Sequence, residues 1–159
     1  MTRFAQHISV SPQRTQEEIE RLLARYGADA FGVLKQTAAA AIMFEVRRLH
    51  VRIDVPLPAA TEKRFTHGKN GRRRWGDPQQ HREAEVRQRW RALLLVVKAK
   101  LEAVESGIST LETEFMPFIV LPDGRTLKDH LLPKLAEVAA TGKMPRLGLP
   151  APHELEAAR

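Results

Sequence analysis

Between residues 49 and 57 apolar and polar side chains alternate without a break. Leu49, Val51, Ile53, Val55 and Leu57 interleave with His50, Arg52, Asp54 and Pro56. A period of two is that of a strand with one buried and one wet face. Two shorter runs precede it. Residues 30–35 (AFGVLK) read as a first strand, and residues 40–46 as a second, with Ile42, Phe44 and Val46 on one face. The connections are short, which favours an antiparallel meander. Pro56 and Pro58 end the pairing or mark an edge.

On either side the period lengthens to that of a helix. Thr15-Gln-Glu-Glu18 fits a capping box, Ile19, Leu22, Leu23 and Tyr26 follow, and Gly27 supplies a stop. This predicts a helix over 16–26 after an irregular arm at 1–14. Asp77-Pro78 reads as an N-cap with proline at the first helical position. The helix it opens, 78–106, carries Val86, Trp90, Leu93, Val97, Leu101, Val104 and Ile108 at intervals of three and four. Leu94, Leu95 and Val96 widen that stripe, so the pattern predicts a central helix buried on most sides, with Trp90, Tyr26 and Phe115 in the core. Ser106-Gly107 ends or kinks it, and helical spacing resumes to about residue 115. Phe118–Leu121 reads either as a fourth strand or as a buried extended segment before the turn Pro122-Asp-Gly124. A last helix, 127–140, is capped at Thr126 and Asp129 and turns Leu131, Leu132, Leu135 and Val138 inward. Pro133 sits inside it as a possible break, and the tail 143–159 is expected to be extended.

The fold expected is α+β. A small antiparallel sheet of three strands, or four if Phe118–Leu121 joins, packs on a long central helix with N-terminal and C-terminal helices beside it. At 159 residues one domain, 1–159, is the natural reading. The first five elements resemble double-stranded-RNA-binding domains in their order, though the second helix here is much longer.

Composition narrows the chemistry. The chain has no cysteine, which removes disulfides, thiolate metal sites and a cysteine nucleophile. Unbroken apolar runs such as Ala92–Val97 are far short of a bilayer span, so no membrane partner is expected and the reading is a soluble, cytoplasmic protein. None of the six histidines stands at a metal-ligand interval from another. Phosphate loops, dinucleotide fingerprints and nucleophile elbows are missing, and the carboxylates form no paired motif. The sequence therefore leans against an enzyme, and no cofactor or metal is expected. A metal-dependent nuclease would need carboxylates brought together from distant positions.

Charge is what distinguishes one segment from the rest. The net charge is +7, divided as +2 over residues 1–60, +6 over 61–91 and −1 over 92–159. Such concentration is the footprint of a polyanion-binding surface. Its centre is a basic loop at 59–76, expected to be flexible. Arg72, Arg73 and Arg74 lie against Trp75, Lys63, Arg64, Lys69 and Arg82 flank them, and Phe65 offers a second ring. Guanidinium groups pair with phosphate and an indole stacks on an unpaired base. Gly68, Gly71 and Gly76 let the backbone bend toward a partner, and Arg47, Arg48 and Arg52 extend the patch if the wet face of the sheet adjoins it. Three readings follow for the segment: nucleic-acid binding, a surface for a host or phage protein, or a solvated insertion whose tryptophan tucks into the core.

Two stretches carry a resemblance. WRALLLVVKAKLEAVESGISTLETEFMPFIVLPDGRTL, from Trp90 to Leu127, and SPQRTQEEIERLLARYGADAF, from Ser11 to Phe31, resemble small uncharacterised proteins of tailed bacteriophages and prophages. The resemblance implies a phage origin and a place among replication or recombination genes, and it implies no catalytic residues. The function expected is a non-enzymatic nucleic-acid-binding accessory protein. The alternative is an inhibitor or adaptor that binds a host or replication protein.

Overall fold

The computed structural model describes residues 10–59, 61–68, 70–72 and 75–145. Three strands, β1 (Ala28–Lys35), β2 (Ala39–Val46) and β3 (Leu49–Pro56), form an antiparallel sheet in the order β1-β2-β3. Among the described residues five helices accompany it: α1 (Pro12–Arg25), α2 (Lys63–Thr66), α3 (Pro78–Glu105), α4 (Leu111–Phe115) and α5 (Leu127–Thr141). The fold is α+β, as the alternation and the helical periods predict.

Register explains the core. Ile42 lies between Val33 and Ile53, and Phe44 between Phe31 and Val51, so the centre of one face of the sheet is apolar. Ile19 and Leu23 of α1, Trp90, Leu93, Leu94, Val97 and Leu101 of α3, and Leu111 and Phe115 of α4 close over that face. The Phe44 and Phe115 rings meet edge to face with centroids 5.4 Å apart, the arrangement their quadrupoles favour. The β2–β3 turn is Arg47-Arg48, with both residues at left-handed φ of 49° and 66°. That backbone matches the twist of a two-residue hairpin but is strained for any residue with a Cβ.

Several expectations change. Helix α1 begins at Pro12, not at residue 16: Ser11 is the cap, its hydroxyl accepting from Arg14 N at 3.3 Å. Thr15 turns inward instead, and its hydroxyl donates to Ser11 O at 3.3 Å. Helix α3 keeps its predicted start, where the Asp77 carboxylate accepts from Gln79 N at 2.9 Å. It buries one broad face rather than most of its girth, leaving Leu95 and Val96 half exposed, because a single layer covers it. Ile108, read on the same stripe, is in solvent, since Gly107 turns the chain out of the helix at φ 74°.

Phe118–Leu121 adds no fourth strand. Met116–Phe118 winds a 3₁₀ turn, and only Ile119 and Val120 bridge, to Val51 and Thr126 respectively.

Helix α5 departs most from expectation: it buries no residue, and Leu132 and Leu135 are 59% and 57% exposed. It is held at its base, where Asp129 Oδ2 accepts from Thr126 N at 2.9 Å and from the Thr126 hydroxyl at 2.6 Å. The helix runs unbroken through Pro133. A proline there cannot donate to Asp129 O, and Arg125 Nη2 donates to that carbonyl instead, at 3.2 Å.

Candidate nucleic-acid interface

The basic segment leaves the end of β3 and returns at the cap of α3. It is not one continuous irregular loop. Residues 63–66 wind the helical turn α2, and Phe65 is 2% exposed beneath it. The buried ring is therefore removed from the stacking role its sequence context suggested. Arg64 lies over that ring, 5.0 Å from its centroid. Its guanidinium pairs with Glu62 and, at 2.8 Å, with Glu85 of α3. Glu85 also holds Arg89 at 3.3 Å, and Glu62 accepts from Ala59 N at 2.7 Å. The Arg64 guanidinium, followed by the Ala59 N–H, holds the Glu62 carboxyl below its ordinary range. Arg64 is thus matched by carboxylates within the fold, while Lys63 beside it has no such match among the described residues.

Arg82 is committed in a similar way. From the first turns of α3 its Nε donates to Pro58 O at 3.1 Å and its Nη2 to Thr37 O at 3.3 Å. It ties α3 to the exit of β3 and to the β1–β2 turn.

The second half differs. Gly68 N donates to Arg72 O at 2.8 Å, closing a reverse turn with Gly71 at φ 70°. Trp75 follows, and its side chain is 96% exposed, so it anchors nothing in the core. Its backbone is nonetheless held: the Trp75 carbonyl lies 2.8 Å from His81 Nε2 on the first turn of α3. Gly76, at φ 98°, lets the chain pass that ring, since a Cβ there would sit 3.0 Å from His81 Nε2. Lys63 and Arg72 are exposed, and their side chains make no ion pair among the described residues. Lys69, Arg73 and Arg74 lie outside the described residues.

Arg47, Arg48 and Arg52 do not extend this surface. The Arg47-Arg48 turn caps the far end of β3, about 25 Å from Pro56 at roughly 3.3 Å per residue. Arg47 pairs with Glu112 at 3.2 Å. Arg52, on the outer face of the sheet, donates to Gly124 O at 3.0 Å and lies 3.3 Å from Asp54 and 3.6 Å from Asp129.

No spacing in the sequence marks this second cluster. Lys128 reaches Asp54 at 3.0 Å, and together with Leu34, Ala39 and Ala41 these residues line an open groove of about 600 Å³. Its one carboxylate, Asp54, is shared by the two cations Arg52 and Lys128. Nor did any spacing mark His130, which pairs with Asp123 at 2.7 Å across the turn before α5.

Among the described residues no three His, Asp or Glu side chains are grouped to hold a metal ion, and no helix is long and apolar enough to cross a membrane. No protein-family model matches the chain, and no curated protein or solved structure matches it either.

Proposed function

We propose that the protein binds single-stranded or irregular nucleic acid through the turn between α2 and α3. Trp75 stacks on an unpaired base, and Arg72, Lys63 and their sequence neighbours Lys69, Arg73 and Arg74 contact phosphates. The observation that carries this reading is the 96% exposure of Trp75 beside the most cationic stretch of the chain. Tryptophan is a highly buried residue type on average, so an indole left in water calls for a partner. Stacking tolerates any base, and a curved turn suits a splayed strand better than a major groove, which takes a rigid helix or ribbon. In the phage setting that the sequence resembles, the protein would serve as an accessory factor without catalytic chemistry.

A protein partner is the second reading. Exposed tryptophan and arginine also anchor protein interfaces, and the uncovered Leu132 and Leu135 of α5 offer an apolar surface.

Titration of labelled single- and double-stranded oligonucleotides at low and moderate salt decides between them. Single strands should bind more tightly. If about five phosphates are neutralised, the slope of log K against log salt should be about −3.5. An absence of binding at low salt would remove the first reading and leave the second.

A further inference from the structure

The two edges of the sheet are treated differently. At β3, Val120 N donates to His50 O at 2.8 Å and Ile119 bridges Val51, so that edge is partly occupied. At β1, no backbone bond from the described residues reaches the outer side. Gln36 N donates to Ala39 O at 2.8 Å, which makes those two a hydrogen-bonded pair. Alternation along an antiparallel ladder then directs the backbone groups of Leu34 and Gly32 to β2. Those of Lys35, Val33 and Phe31 face outward. An edge of this length without a proline or a central charge is a template for another strand.

The sequence of the edge selects the occupant. Turned about a two-fold axis at Gly32, the stretch Asp29–Lys35 reads onto itself: Asp29 meets Lys35, Ala30 meets Leu34, and Phe31 meets Val33. This register also satisfies the backbone, because Phe31 and Val33 both direct their groups outward. Their half-buried side chains already lie against the core on one face and would cover each other across the axis. Asp29, the extra residue of a bulge between Ala28 and Ala30, is exposed, and so is Lys35. Neither makes an ion pair among the described residues. We infer that β1 pairs with β1 of a second copy of this chain, giving a continuous six-stranded sheet with Asp29 of each copy facing Lys35 of the other.

The absence of cysteine provides a direct test. On the two-fold axis Gly32 faces its own copy in a non-hydrogen-bonded pair, where Cα atoms lie about 4.5 Å apart, within disulfide range. A Cβ at Gly32 meets nothing within 4 Å, so Gly32→Cys should fold. Under mild oxidation it should form a covalent dimer quickly, while Met43→Cys, exposed on the neighbouring strand, and Leu135→Cys on α5 should not.

Sedimentation velocity from micromolar to several hundred micromolar protein supplies the second measurement. Wild type should dimerise reversibly. Lys35→Glu should weaken the dimer about tenfold, because two attractive cross-strand pairs become repulsive. Asp29→Lys should do the same, and the double exchange should return the affinity to within about threefold of wild type. A protein monomeric at the highest concentration overturns the inference. So does a dimer unmoved by the single reversals, a double variant as weak as either single, or cross-linking through Leu135→Cys in preference to Gly32→Cys.

Discussion

Phe65 and Trp75 belong to one basic run, and the fold uses them in opposite ways. Around Phe65 the ring is buried, Arg64 is shared between two carboxylates, and Arg82 is fixed to two backbone carbonyls. Around Trp75 the ring is in water and Arg72 has no carboxylate beside it among the described residues. Local composition does not separate the two halves. What separates them, among the described residues, is the neighbour supplied by α3: Glu85 meets the first half, and the His81 ring meets the second. A cationic run therefore becomes a foundation where the fold offers anions and a candidate binding surface where, among the described residues, it offers none.

The contrast can be broken by mutation. The largest effect expected is from Phe65→Ala, which should cost about 3–5 kcal/mol in urea unfolding. Trp75→Ala in the same assay should shift stability by less than about 0.5 kcal/mol. Reading affinity instead of stability should invert the order. Trp75→Ala should weaken single-strand binding by about 1–3 kcal/mol with little change for duplex, measured by equilibrium titration. Arg82→Ala should behave like the first half, despite its place in the basic run. It should lower stability by about 1–2 kcal/mol, since the Pro58 and Thr37 carbonyls lose charged donors.

The smallest effect is that of pH. Glu62 is held below its ordinary value of 4.5, so its pairing stabilises α2 above that pH and is lost as pH falls through the lower folded value. The Ala59 amide resonance should titrate with a midpoint below 4.5, and the Trp75 indole resonance should not follow it.

The fold was largely legible because its signals are local. The alternation of Leu49–Leu57 and the stripe from Val86 to Leu101 each report the covered face of an element directly. Periodicity does not say whether a cover exists, which is why Leu132 and Leu135 read as core and stand in solvent. Two caps in one segment compete in the same way. Ser11 and Thr15 both suit an N-cap, and Pro12 at the first helical position favours the earlier one. At the candidate site the sequence located the charge but could not sort it. Phe65 is flanked by polar residues with no period, and Glu85, which neutralises Arg64, lies two turns into another helix.

The order of elements has a consequence for synthesis. The sheet closes entirely between neighbours in sequence, so it can form as soon as Pro56 has emerged from the ribosome. Most of the side chains that cover its apolar face, Trp90 to Leu101, come later. At roughly 5–20 residues per second the nascent chain carries a finished sheet whose Ile42, Phe44, Val51 and Ile53 have only α1 to cover them for on the order of a few seconds. During that interval the growing chain is at its most adhesive, and chaperone capture would act on this face before α3 arrives.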